Sequence, residues 1–173
     1  MKQFVFLTLL LLTYFPSWGQ IFVNDGATVM IQPGLVVTMQ GNLQNQDNGA
    51  NVGRFFNQSD SLLIRGNITN NSADSMFKTN TPGYAPGTVV MYGGSANIAG
   101  SVPITFQSLR LSGTGVKTQL QSAFVDYSLH LGNRELDTRT NTMFVRSSNV
   151  NAVTRADSGY VSSDAVAGGL QRT

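Results

Sequence analysis

Short runs of apolar and β-branched residues alternate along the chain with Gly, Asn, Pro and Ser. The runs are four or five residues long and include 28–31, 35–39, 61–64, 88–92, 108–111, 128–131 and 142–145. Runs of this length between turn residues are typical of β-strands. After residue 19, no window of ten or more residues has a convincing 3.6-residue helical period. The pattern predicts an all-β chain.

The strands also repeat one another. Residues 39–45 (Met-Gln-Gly-Asn-Leu-Gln-Asn) align with 64–70 (Ile-Arg-Gly-Asn-Ile-Thr-Asn) at an offset of 25, and 109–113 align with 129–133 at an offset of 20. Residues 91–98 resemble the first unit with a small insertion. Such periods are typical of solenoids, and roughly 22 residues per coil would give about seven coils. We therefore predict a parallel β-helix (β-solenoid) with Gly and Asn at its corners, and Asn42 stacked on Asn67.

An antiparallel β-sandwich is the alternative all-β architecture. It would have short strands at a similar spacing. Two-residue hairpin signals are sparse, however: only Asp25-Gly26 qualifies, with 47–49 as a looser case. The stretch 71–86 is the least regular part of the chain, and we expect it to be a loop that leaves the stack.

Composition agrees with a β-rich chain and narrows the chemistry. The chain has 15 Asn, 11 Gln, 16 Ser and 16 Thr but only three Lys and one Glu, so long charged helix formers are scarce. The formal net charge is +2 and no basic run is present, which argues against nucleic acid as a partner. The absence of Cys excludes disulfides and thiolate metal sites.

The N-terminus has the three-part layout of a secretory signal peptide. Lys2 gives a positive start, residues 4–15 are mostly apolar, and Ser17 and Gly19 are small residues at the −3 and −1 positions of a cut before Gln20. The apolar run is shorter than the roughly 20 residues that span a bilayer. We expect residues 1–19 to be removed, residues 20–173 to form the β-solenoid domain, and no membrane span to remain.

Several sequence segments resemble the N-terminal regions of large surface proteins of gliding Gram-negative bacteria. They are residues 102–111 (Val-Pro-Ile-Thr-Phe-Gln-Ser-Leu-Arg-Leu), 115–118 (Gly-Val-Lys-Thr), 129–138 (Leu-His-Leu-Gly-Asn-Arg-Glu-Leu-Asp-Thr) and parts of 152–172. The resemblance is good over about 85–173 and looser over 20–84. Those proteins typically end in a gliding-motility-associated C-terminal domain and leave the cell through the type IX secretion system.

The resemblance implies a non-catalytic β-helical module displayed outside the cell. Its expected partners are the secretion machinery and surface glycans or other surface proteins. No sorting domain follows here, so we expect the chain to be the N-terminal part of a longer protein. Ser61 and Ser75 follow Asp in an Asp-Ser-apolar pattern that resembles the O-glycosylation signal of these bacteria.

Side chains suited to catalysis are few. His130, the only histidine, alternates with leucines and is expected to face solvent. Glu135 and Asp137 share a strand face, and we expect Arg134 and Arg139 to be their ion-pair partners. A polysaccharide-acting β-helix enzyme would need clustered or paired carboxylates, so we predict no enzyme activity, no cofactor and no metal.

Aromatic side chains give the best candidate binding surface. Tyr84, Tyr92, Tyr127 and Tyr160 could stack on sugar rings, because a tyrosine ring has an apolar body and a polar tip. The alternative is that these tyrosines only cover edges of the coils. In that alternative four phenylalanines stack inside the coils: Phe55, Phe106, Phe124 and Phe144. The sequence thus predicts a secreted structural or adhesive module, with glycan binding as the alternative.

Overall fold

The computed structural model describes residues 20–78, 87–164 and 168–172, so the predicted signal segment lies outside the described residues. Within these ranges the regular elements are β-strands, and no helix occurs. The strands are β1 (Ile21–Asp25), β2 (Thr28–Ile31), β3 (Val36–Met39), β4 (Asn42–Gln46), β5 (Arg54–Asn57), β6 (Ser61–Ile64), β7 (Ile68–Asn71), β8 (Thr88–Met91), β9 (Ala96–Gly100), β10 (Ile104–Leu111), β11 (Lys117–Gln119), β12 (Ala123–His130), β13 (Glu135–Asp137), β14 (Thr142–Val145), β15 (Val153–Thr154), β16 (Tyr160–Ser162) and β17 (Gly169–Arg172).

Two long parallel sheets contain nearly all of these strands. One has seven strands in the order β1-β4-β7-β9-β11-β13-β16; the other has eight in the order β17-β14-β12-β10-β8-β6-β3, with β15 beside β12. A third sheet is the pair β2-β5. The pairings between these strands are parallel throughout. The all-β prediction is confirmed, the architecture is consistent with a β-solenoid, and the antiparallel sandwich is wrong.

The registers follow the repeats in the sequence. Leu43 pairs with Ile68 at the expected offset of 25 residues, and Leu109 pairs with Leu129 at the expected offset of 20. The insertion in the third unit is also present, because Ile68 pairs with Ile98 across 30 residues. Equivalent residues of successive repeats therefore lie beside each other.

The core is formed by the inward residues of each strand. On the eight-stranded sheet, one fully buried row runs through Leu62, Val89, Leu109 and Leu129, one residue from each of four adjacent strands. Burying one such side chain contributes about 1.5–3 kcal/mol. Repetition of the same apolar position thus builds a continuous core along the stack.

Aromatic rings form a second internal row. The ring of Phe77 lies 5.6 Å from that of Phe55 and 5.5 Å from that of Phe106, and all three are buried. Phe77 has a φ of +64°, which is rare for a bulky residue and indicates that packing holds it in place. The expectation that 71–86 leaves the stack is therefore wrong for Met76 and Phe77, which return to the core. Residues 79–86 lie outside the described residues.

Buried asparagines form a ladder across β1, β4 and β7, the first three strands of the seven-stranded sheet. Asn24 Nδ2 donates to Asn45 Oδ1 at 2.7 Å, and Asn45 Nδ2 donates to Asn70 Oδ1 at 3.0 Å. The three side chains are 0–2% exposed. Asn45 also donates to the Gly53 carbonyl. The ladder satisfies amide groups that would be costly to bury alone.

Asn42 and Asn67 do lie in successive repeats, but their side chains do not pair with each other. Asn42 Oδ1 accepts the backbone N–H of Asn67 at 2.9 Å, and Asn67 Oδ1 accepts that of Asn97 at 2.8 Å. Each side chain thus caps the strand of the next repeat. A Cβ on Gly66 would lie 2.2 Å from Asn42 Oδ1, so this corner requires glycine.

Replacing Asn45 by Ala should lower the free energy of unfolding by about 1–3 kcal/mol, because the ladder then loses its central donor and acceptor. Asn51 is exposed and makes only backbone hydrogen bonds in the described structure, so Asn51→Ala is a matched control that should cost less than about 0.5 kcal/mol. Urea unfolding followed by circular dichroism measures both. Equal stabilities of the two variants would contradict the structural role of the ladder.

Candidate functional site

Two phenylalanines face outward rather than into the coils. Phe124 of β12 is in register with Phe144 of β14, and their rings stack at 5.2 Å with an interplanar angle of 22°. Both are half-buried, whereas their strand neighbours are fully buried: Ala123, Val125, Met143 and Val145. The expectation that they stack inside is wrong for this pair, because alternate strand residues point to opposite faces. It is confirmed for Phe55 and Phe106.

An arginine lies over this aromatic pair. The Arg146 guanidinium carbon is 4.6 Å from the centre of the Phe124 ring, a cation–π distance. Asp126 fixes the arginine, with 2.6 Å between Arg146 Nη2 and Asp126 Oδ1. We call Phe124, Phe144 and Arg146 the aromatic platform. It places two half-buried, mutually stacked rings and an oriented cation on the outside of the eight-stranded sheet.

The structure does not bring the candidate tyrosines into a row. Tyr127 is exposed on β12, the strand that carries Phe124. Tyr92 follows β8, and its hydroxyl donates to Gln40 Oε1 at 3.0 Å. Tyr160 is exposed on the other long sheet, and Tyr84 lies outside the described residues. Of the candidates, only Tyr127 shares a strand with the platform.

The candidate carboxylates are bound to neighbouring side chains. Glu135 accepts hydrogen bonds from the Tyr160 hydroxyl at 2.8 Å and the Ser162 hydroxyl at 2.7 Å, and the first of these raises the pKa of Tyr160. Arg139 pairs with Asp137 at 2.7 Å, as expected. The expected partnership of Arg134 with Glu135 is wrong, since the two hydroxyls take its place. This leaves the Arg134 side chain available at the surface.

The remaining candidates lie on separate elements. His130 points outward at the end of β12, where Nδ1 lies 2.7 Å from Thr154 Oγ1. Ser61 begins β6 and is half-buried. Ser75 is half-buried and donates from its hydroxyl to the Pro103 carbonyl at 3.2 Å. Modification of Ser61 or Ser75 stays a prediction.

Lys117 is a buried ionisable residue that the sequence did not lead us to expect. It is fully buried, and its ammonium donates to the carbonyls of Gly93 and Thr114, both at 2.9 Å, and to that of Gly94. Burial lowers its pKa to about 8, with a further contribution from the positive charge of Arg134. The strand register would have revealed its burial, because Lys117 pairs with the buried Ala96 and must also point inward.

Two further findings concern the described ranges alone. In them, no three or more side chains of His, Asp or Glu gather in a way that could hold a metal ion. Nor does any helix there have the length and apolar character needed to cross a membrane.

Lys117 should contribute stability that increases with pH between about 8 and 10.5. The unfolded chain holds the Lys117 proton up to the usual pKa of 10.5, whereas the folded chain releases it near 8. The unfolded state therefore binds more protons in this window, and raising the pH favours folding. Replacing Lys117 by Met should remove this contribution.

The measurement is the difference between wild type and Lys117→Met in the slope of unfolding free energy against pH. Because the difference is taken, groups common to both proteins cancel. Lys78 is exposed and pairs with Asp74 at 2.6 Å, so Lys78→Met is the control for loss of an unburied lysine and should change the slope much less than Lys117→Met. Parallel curves for wild type and Lys117→Met would show that Lys117 is not perturbed.

Comparison with known proteins gives no guide to the site. No family model matches the chain, no curated protein matches it, and no solved structure matches it. The resemblance to surface proteins of gliding bacteria therefore stays a prediction. Function must be argued from the surfaces described above.

Proposed function

We propose that this chain is a non-catalytic structural or adhesive module, secreted and displayed at the cell surface. The observation that carries the proposal is the parallel stacking of strands in the part of the chain that the structure describes. Strand-by-strand stacking gives a rigid body whose outer faces can be presented to other molecules. Charged residues are only 12% of the chain, so these faces are mostly neutral and polar.

We propose further that the stack closes as a β-solenoid of about seven coils. Along the chain, the strands of the seven-stranded sheet are β1, β4, β7, β9, β11, β13 and β16. Each is followed by a strand of the eight-stranded sheet: β3, β6, β8, β10, β12, β14 and β17. Each such passage corresponds to one coil. The count supports the coil number expected from the repeats.

Glycan binding is the second candidate function, and the aromatic platform favours it. The stacked rings of Phe124 and Phe144, 5.2 Å apart and half-buried, form an outward apolar patch that the C–H groups of a sugar can contact. The Arg146 guanidinium, held by Asp126, provides hydrogen-bond donors beside those rings. Surface glycans and other surface proteins are the expected partners of this face.

Export is tested by expressing the full chain with a C-terminal tag in a Gram-negative host. We expect the tagged protein outside the cytoplasm, beginning at Gln20 when its N-terminus is read by mass spectrometry. A matched variant with Leu9→Arg and Leu10→Arg should stay in the cytoplasm uncleaved, because charges interrupt the apolar segment. Cytoplasmic wild-type protein that retains residues 1–19 would contradict the proposal.

Glycan binding is tested by affinity electrophoresis through gels that contain soluble polysaccharides. At least one polysaccharide should slow the wild-type protein, and Phe124→Ser/Phe144→Ser should lose most of that retardation. The control is Phe56→Ser, an outward phenylalanine on the separate two-stranded sheet. Equal retardation of both variants would argue against the platform. Depolymerisation of any polysaccharide in the panel would contradict the non-catalytic assignment.

A further inference from the structure

A surface groove lies at the corner where the chain leaves the eight-stranded sheet for the seven-stranded one. It has a volume of about 260 Å³ and is open to solvent. The polar side chains that line it are those of Arg110, Ser112, His130, Asn133 and Arg134. We call Arg110, His130 and Arg134 the basic corner.

The parallel register brings the basic corner together. Arg110 and His130 are Cα partners near the ends of β10 and β12, so their backbones are one strand spacing apart, about 4.8 Å. The leucines beside them, Leu109 and Leu129, are fully buried, so both basic side chains point outward. Arg134 comes from the turn after Gly132, which has a φ of +56° and directs the chain around the groove.

Positive charge in the corner is not neutralised by the acids nearby. Within the described residues, neither Arg110 nor Arg134 has an ion-pair partner. Three acids near the corner are engaged elsewhere: Asp126 with Arg146, Asp137 with Arg139, and Glu135 with two hydroxyls. Asp157 follows the groove-lining Ala156, is exposed, and forms no ion pair with the described residues. Repulsion from Arg134 also contributes to the lowered pKa of Lys117, which lies behind the same corner. The groove is a local excess of cations on a weakly charged protein.

The donors suit a small oxyanion. Each guanidinium can give two parallel N–H bonds to a carboxylate or sulfate. Thr154 Oγ1 lies 2.7 Å from His130 Nδ1 and orients the ring. When the hydroxyl donates to Nδ1, the proton of the neutral imidazole is on Nε2, which becomes a further donor. Asn133 is exposed and adds an amide at the rim.

We propose that the basic corner binds the carboxylate or sulfate groups of an acidic polysaccharide. A single groove of about 260 Å³ has room for one charged group and the ring that carries it, whereas nucleic-acid binding depends on many phosphate contacts along the backbone. The formal net charge of +2 also gives no extended positive field of the kind that nucleic acids need. His130 of the basic corner and Phe124 of the aromatic platform lie on the same strand, β12. One polysaccharide molecule could therefore contact both surfaces. The proposal that the ligand is a polysaccharide rests on the glycan-binding function proposed above. The proposal that the groove binds an oxyanion rests on the groove alone.

The test measures binding of the full chain to dextran sulfate, to polyuronate and to neutral dextran by affinity electrophoresis at fixed ionic strength. The wild-type protein should be retarded by the two acidic polymers and not by dextran. Arg110→Gln and Arg134→Gln should each weaken that binding on the order of tenfold, as expected for loss of a charge-assisted pair. Arg65→Gln removes an equal charge from another exposed position and should change binding less than about twofold.

Each of the following outcomes would contradict a specific part of the proposal. If Arg65→Gln weakens binding as much as Arg110→Gln, binding is diffuse electrostatics and the basic corner is not a site. If neutral dextran binds as well as dextran sulfate, glycan binding stands and the oxyanion site is wrong. If no polymer binds but inorganic sulfate shifts the His130 ring signals in NMR, the oxyanion site stands and the polysaccharide is wrong. If neither polymers nor sulfate bind, the proposal fails entirely.

Folding is checked in parallel. Arg110 is exposed and Arg134 half-buried, and neither is in an ion pair of the described structure, so both variants should keep the wild-type melting temperature. The conservative variant Arg110→Lys keeps the charge and loses the planar donor pair. It should bind acidic polymers more weakly than wild type and more tightly than Arg110→Gln.

Discussion

In-register parallel pairing between successive repeats is the interaction on which the rest of this structure depends. Each strand obtains its backbone hydrogen bonds from the repeats before and after it, at a spacing of about 4.8 Å. A residue therefore has the equivalent residue of the next repeat as its nearest neighbour. The hydroxyls of Ser108 and Ser128, 3.0 Å apart, show the result on adjacent strands. The side chain at one position therefore restricts which side chains fit at the equivalent positions of the neighbouring repeats.

This constraint explains which polar groups can be buried. Asn24, Asn45 and Asn70 lie inside the stack because each provides the partner that the next requires. Lys117 has no equivalent neighbour to share its ammonium, and it relies on three backbone carbonyls at the corner. Its lowered pKa is the electrostatic consequence of that position. The ladder and the corner thus satisfy these two sets of buried groups, whereas three other buried atoms of the described residues have no hydrogen-bond partner: Asn57 Nδ2, Gln58 Nε2 and Gln119 Oε1.

The sequence was sufficient for the sheet class and for much of the register. Repeats such as 39–45 and 64–70 carry the same residues at the same positions, so their offset equals the offset of the paired strands. It was insufficient where apolar residues are contiguous. Met143, Phe144 and Val145 show no polar–apolar alternation among themselves, and only the flanking Thr142 and Arg146 mark the face to which the structure turns Phe144. The surface sites are harder still, because Arg110 and Arg134 meet only through the register and the turn between them.

The chain contains no cysteine, so one engineered disulfide tests the register most directly. Ser108→Cys/Ser128→Cys places thiols on adjacent strands at a separation suited to a disulfide, and we predict that the monomer oxidises readily while keeping its stability. Ser61→Cys/Ser128→Cys lies in the same row but three strand spacings apart, about 14 Å, and should stay reduced. Failure of the first pair to oxidise, or ready oxidation of the second, would contradict in-register parallel stacking.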